Sequence, residues 1–305
     1  MTQHHLAVPK TYKLYIGGKF PRSESGRTYE VVAKDGAFLA NAAKASRKDA
    51  RDAVVAARAA QPGWAGATGY NRGQVLYRIA ELLEGRRAQF VEEISVSEGV
   101  SAAVAGKQVD AAVDTWVWYA GWADKYVQVA GNANAVSGPY FNISVPEPTG
   151  VVAIVAPSTG SGTGMGSGTG MGSGTGMGSG TSLLGFVSVV APAIVSGNTV
   201  VVIASEAAPL SAISLAEVLA TSDVPGGVIN ILTGSAAEIA PWLASHADVN
   251  ALDLTGADSL DWVDLQISAA DTLKRVRTPG DFGASLDRIV AFTETKTVWH
   301  TKSLI

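Results

Sequence analysis

There is no cysteine among the 305 residues. Disulfides, cysteine-held metals and thiol nucleophiles are therefore excluded from anything this chain does by itself. Histidine is nearly as scarce. The four present are His4, His5, His246 and His300, and none has a carboxylate or second histidine at metal-ligand spacing, so His246 and His300 read as surface or capping residues. A basic excess is missing too: 23 Lys and Arg face 27 Asp and Glu, a net charge of −4. That balance, with no basic stripe, argues against nucleic acid or an anionic membrane as partner. No apolar run could span a bilayer, since the longest, Phe186 to Val195, is short and contains Ser188 and Pro192. The start, MTQHHLAVPKTYK, has no apolar signal core, and a cytoplasmic location is expected.

Glycine is abundant, at 34 residues. Positions 160–181 read GSGTGMGSGTGMGSGTGMGSGT, a six-residue unit written three times and begun a fourth. Every glycine from Gly160 to Gly180 falls on an even position. The phosphate-binding GxGxxG pattern needs glycines on both odd and even positions, and the other common phosphate loop needs a lysine. The run satisfies neither. Glycine alternating with small polar residues loses much entropy on ordering and has little apolar surface to offset it, so residues 158–181 are expected to form a flexible insertion. The alternative is a silk-like strand with Met165, Met171 and Met177 on the same face as the Ser and Thr residues.

With 47% apolar and 16% charged residues, the rest is globular and has room for two domains. YKLYIGGKF alternates around Gly17-Gly18 and predicts a β-hairpin. Ser46 and Asp49 form a capping signature before an Ala-rich helix. Apolar residues recur at helical spacing from Arg72 to Ser97 and again from about Gly106 to Ala130, predicting two long helices. The second has an aromatic stripe, Trp116, Tyr119 and Tyr126, that reads as core or subunit interface. YFNISVP at 140–146 alternates as a strand. After Gly150, apolar strands (VVAIVAP, TVVVIAS, VINILTG, VNALDLTG) alternate with helical segments near 182–196, 209–220 and 236–246. This predicts an α/β fold with a Rossmann-like parallel sheet covered by helices on both faces, its ligand site at the carboxyl ends of the strands. The tail, DRIVAFTETKTVWH, reads as a closing strand.

YIGGKF, AARAAQPGWA, RIAELLEGRRAQF, GVVAIVAP, SGNTVVV followed by SE, VPGGVINILTG, SHADVNALDLTG and TETKTVWH, in this order, resemble the aldehyde dehydrogenase superfamily across nearly the whole chain. The resemblance implies an NAD(P)-dependent oxidoreductase ancestry, in which a cysteine thiolate attacks the aldehyde and a glutamate activates water. It further implies an organisation into N-terminal hairpin, long helices and oligomerisation strand (1–150), a cofactor-type domain (151–262) interrupted by the glycine run, a catalytic-domain remnant (263–286) and a C-terminal oligomerisation strand (287–305).

Carried over residue by residue, the resemblance leaves no catalytic residue, for the cysteine is absent and Pro279 stands where the glutamate base is expected. Ser205, Glu206, Gly234, Thr255 and Gly256 match cofactor-binding positions for NAD or NADP. Ile203, however, stands for the lysine that holds the adenine ribose, Ala257 for a serine, and Asp261 for a glycine, where an acid would repel the pyrophosphate. The oxyanion asparagine expected after Pro157 is replaced by the glycine run. The oligomerisation elements are intact. The expected function is thus a non-catalytic subunit that assembles with a full-length aldehyde dehydrogenase homologue or with a second copy of itself. The alternative is a component that contributes a cofactor site to NAD(P)-dependent aldehyde oxidation.

Overall fold

A computed structural model describes residues 10–157 and 182–302. The glycine run expected to be flexible, His4, His5 and the last three residues lie outside the described residues.

The chain opens with β1 (Thr11–Tyr12), β2 (Thr28–Val32) and β3 (Phe38–Ala43), which form a small sheet in the order β1-β3-β2. The expected hairpin is present and short. Gly17 and Gly18 take φ of 60° and 77°, and the turn closes by paired Ile16–Lys19 hydrogen bonds of 2.9 and 3.0 Å. Such two-residue turns need positive φ at both central positions, which a Gly-Gly pair provides. A Cβ on Gly18 would stand 3.0 Å from the Gly226 Cα, so the turn is docked onto the main body by close backbone approach.

Four helices follow: α1 (Arg47–Gly66), α2 (Gly69–Gly85), α3 (Arg87–Glu98) and α4 (Ala102–Trp122), with a short α5 (Tyr126–Ala130). The capping box at Ser46 and Asp49 forms as expected. The single helix predicted from Arg72 to Ser97 is instead two, broken at Arg86, which has φ −110° and ψ 14°. Gly85 weakens the helix there, and the bend brings Arg86 to Glu217 at 3.5 Å. The predicted second helix starts earlier, where the Ser101 side chain caps Val104 N–H, and stops at Trp122 before resuming as α5. Its aromatic stripe is core: Trp116, Tyr119 and Tyr126 are buried.

Next come β4 (Asn132–Asn134) and β5 (Tyr140–Pro148), then the α/β unit: β6 (Val151–Val155), α6 (Ser182–Val195), β7 (Thr199–Ile203), α7 (Leu210–Leu219), β8 (Ile229–Leu232), α8 (Ala236–Ser245), β9 (Ala251–Asp253), α9 (Trp262–Ala270) and β10 (Arg275–Arg277). Its five strands are all parallel, in the order β10-β9-β6-β7-β8. α9 and β10, drawn from the 263–286 segment, add the edge strand to this sheet. Strand residues alternate between two cores, as the period of two dictates. Val152, Ile154, Val200 and Val202 face α6, α7 and the helices α2 to α4, whereas Val151, Ala153, Val201 and Ile203 face α1, α8 and α9. Every residue of α6 is buried, because it lies between the sheet and the N-terminal helices. The tail expected as one strand is instead α10 (Leu286–Val290), capped by the Ser285 side chain, followed by β11 (Thr293–Thr301), and β11 pairs antiparallel with β5 over nine residue pairs in a sheet ordered β11-β5-β4. Among the described residues no helix is long and apolar enough to cross a membrane.

Arg72 joins the helix ends of the two halves. Its buried guanidinium donates to Val195 O at 2.9 Å, the last carbonyl of α6, and to Trp64 O, Ala65 O and Ala67 O at the end of α1. Carbonyls at helix C-termini have no intrahelical partner and carry partial negative charge, which a cation neutralises. Replacing Arg72 with Met orphans these buried acceptors and is expected to lower unfolding stability by about 3 kcal/mol. Urea titration followed by far-ultraviolet circular dichroism measures this, and an Arg72→Met midpoint equal to that of the unaltered chain would refute the role.

Candidate functional site

The carboxyl ends of parallel strands converge on one edge, where folds of this class hold ligands. The five sequence-derived site residues all lie there: Ser205 and Glu206 after β7, Gly234 after β8, and Thr255 and Gly256 after β9. Each already has a local task. Ser205 Oγ accepts from Ala208 N at 3.2 Å, which folds the turn into α7. Glu206 is exposed; burial first and the Glu206 charge second push the Tyr29 phenol pKa up. Gly234 has φ of 118°, and a Cβ there would stand 3.3 Å from Lys44 and Ala45.

At β9 the geometry is closed. A Cβ on Gly256 would fall 2.3 Å from the Ala156 carbonyl group, so this glycine exists to let the exit of β9 pass over the end of β6. The Thr255 hydroxyl bonds Asp253 Oδ1, which also takes Thr255 N–H at 3.0 Å. The same hydroxyl accepts from Arg288 Nη2 at 3.3 Å. With its one proton on Asp253 and a guanidinium on its oxygen, Thr255 has little left for a ligand. Arg288 also donates to Asp253 Oδ2 at 2.9 Å and to Asp281 O at 3.0 Å. The pair is sealed from solvent, with side-chain exposures of 1% and 0%.

The remaining departures point the same way. Ile203 is buried in the core shared by α1 and α8, so an aliphatic contact stands in place of the expected cation. Asp261 caps α9, its carboxylate accepting from Asp264 N at 3.2 Å, and thereby places negative charge at that helix start. These residues do not fit a dinucleotide, because the hydroxyl, the cation and the open helix start that would hold it are committed or absent. Among the described residues there is also no group of three or more His, Asp or Glu able to hold a metal ion.

Two residues central to this edge, Asp253 and Arg288, escape the sequence reading. The available signal was Asp253 inside the apolar stretch ALDL, since a charge enclosed that way needs a partner, whereas Arg288 lies beside Asp287 in DRIV and gives no such sign. Beside them Tyr119 is buried, its phenol pKa pushed up to about 12 chiefly by burial, and its oxygen accepts from Ser285 N at 3.4 Å. At the start of α6, Glu98 Oε1 accepts from the Ser182 hydroxyl at 2.6 Å and from Ser182 N–H at 3.2 Å. Amides at a helix N-terminus have no intrahelical acceptor, and here a carboxyl group from α3 supplies one.

Among known proteins, the model of the aldehyde dehydrogenase family matches residues 20–158 and 181–277. The match ends at Arg277, on β10, and so leaves out α10 and β11. Cytosolic 10-formyltetrahydrofolate dehydrogenase of Mus musculus is 28% identical over 277 residues, which cover 89% of this chain and 28% of that protein. An aldehyde dehydrogenase of Davidiella tassiana is 28% identical over 284 residues, covering 90% of this chain and 52% of that one. The crystal structure of an NAD-dependent aldehyde dehydrogenase from Sinorhizobium meliloti superposes with a TM-score of 0.74 at 26% identity, covering 88% of this chain and 50% of that chain. The chain thus spans about half the length, or less, of the relatives it matches.

Burial raises the pKa of Glu98 above its ordinary 4.5, against the lowering effect of the Ser182 bonds, and burial likewise raises Glu93, whose Oε2 accepts from Ser214 at 2.7 Å. In both, the unfolded chain gives up its proton at lower pH than the folded one. The contribution of these two groups to stability is therefore expected to fall as pH climbs above 4.5. A Glu93→Gln/Glu98→Gln variant should remove that slope in thermal melts taken above that pH. An unchanged slope would show that these two groups do not set it.

Proposed function

This chain is a member of the aldehyde dehydrogenase family, and from that premise we propose that it is a non-catalytic subunit, residing in the cytoplasm, that assembles with a full-length catalytic relative. The observation that carries this reading is the sheet β11-β5-β4. One of its faces presents Phe141, Ile143 and Val298, which are 53%, 47% and 52% exposed, with Ile143 directly opposite Val298. The other face carries Asn142 and Ser144, both buried and linked through Asn134, with Ser144 bonded to Thr297 at 2.9 Å, and beside them Trp299, which is 58% exposed and packs edge-on against Tyr140. Large apolar side chains left exposed along such a sheet are what it carries when a further surface covers it. On α9, Val263 and Ile267 are also exposed, at 47% and 64%.

The chemistry supports the same reading. A chain without cysteine has no thiolate to attack an aldehyde. The alternative, in which Ser205, Glu206, Gly234, Thr255 and Gly256 lend an NAD(P) half-site to a partner's catalytic domain, is weakened by the committed Thr255 and the packed Gly256.

Co-expression with the full-length relative from the same source, followed by native mass spectrometry, tests the proposal. A mixed assembly is the expected result. Because a charge on a buried apolar contact costs several kcal/mol, a Phe141→Lys/Val298→Lys variant should lower the mixed fraction by about tenfold or more. Recovery of lone monomers only, or equal assembly by that variant, would contradict the reading. So would aldehyde oxidation by the purified chain alone.

A further inference from the structure

We propose that residues 278–288 form a strap across the carboxyl edge of the parallel sheet, hinged at Phe292 and latched by Arg288 onto Asp253. The hinge is built from backbone. Phe292 O accepts from Thr149 N at 3.1 Å, Thr149 Oγ1 at 3.2 Å and Asn198 Nδ2 at 2.9 Å, and Asn198 is fully buried. This anchors the root of β11 independently of anything on its amino-terminal side. The latch is a single side chain, the Arg288 guanidinium reaching back from α10 to Asp253 and Thr255.

Between hinge and latch the two kinds of hold differ in strength. Ile289 and Phe292 are buried next to the hinge. Residues 278–285, in contrast, form no helix or strand and are exposed or half-buried, with Gly280 open on all sides. Phe282 and Leu286 pack against the main apolar core and Ser285 N donates to Tyr119 Oη at 3.4 Å, whereas the tie from the strap to the end of β9 is the Arg288–Asp253 pair. That tie is imperfect: Arg288 Nε is buried and has no acceptor. A buried donor left unpaired opposes the closed state, and so makes the latch easier to release than a fully satisfied pair.

The strap has a consequence for what the chain can offer. When latched, it occupies Thr255 and neutralises Asp253, closing the edge where the fold would receive a ligand. When released, it uncovers both without disturbing β11, because the hinge lies between them. The assembly sheet and the ligand edge are thus separately controlled, although only Ala291 and Phe292 separate α10 from β11.

Hydrogen–deuterium exchange on the isolated full chain tests this, and it needs neither a partner nor an activity. The variants are Arg288→Met and the charge-free double variant Asp253→Ala/Arg288→Met, the latter because one uncompensated buried charge could by itself prevent folding. Release of the latch is expected to speed exchange across residues 281–290 by about tenfold or more while residues 294–301 and 199–203 stay within about twofold of the unaltered chain. Unchanged exchange at 281–290 in the double variant would show that packing of Phe282, Leu286 and Ile289, not the ion pair, holds the segment, and would overturn the latch. Equal acceleration at 294–301 would overturn the hinge.

Discussion

A guanidinium enclosed at the end of a parallel strand is the constraint around which this structure is arranged. Arg288 and Asp253 are both removed from solvent, and a lone charge in either position would be strongly unfavourable. Each therefore obliges the other. Asp253 closes a strand that is otherwise apolar, so the end of β9 is stable only if a cation comes to it. Arg288 comes from a helix beyond the sheet, so the C-terminal segment must fold back over the edge to deliver it. In consequence, the place where the fold would take a ligand is filled from within, and Thr255 is drawn into the pair.

The same economy governs the two halves of the molecule. α6 is buried on every side, and it joins the sheet to α2 and α4 through one apolar core. Arg72 and Asn198 then satisfy the backbone groups that such a buried helix leaves exposed at its end. The sheet β11-β5-β4 ties its buried Asn142 and Ser144 together through Asn134 and leaves Phe141, Ile143, Val298 and Trp299 exposed.

Much of this was legible in the residues. The alternation of apolar strands and helices after Gly150 has one physical solution, a covered parallel sheet, and Ser46 with Asp49 marked a helix start that the structure reproduces. Helix ends were less visible, since the apolar period runs on through Arg86 and past Trp122 although the helix stops at both; periodicity reports a face and does not register a local weak point such as Gly85. β10 was hidden because RVR is short and carries charge on two of its three positions. At the site, positions matched to the family lie on the expected edge, but position does not give availability. Thr255 keeps its identity and loses its free hydroxyl to partners at positions 253 and 288, and only one of these is near it in sequence.

The central claim is that this edge is closed to a dinucleotide. Isothermal titration of the purified chain with NAD+ and with NADP+ addresses it directly. No saturable heat is expected from either. Saturable one-to-one binding of either dinucleotide would contradict the account, and loss of that binding in a Thr255→Val variant would place the ligand at this edge.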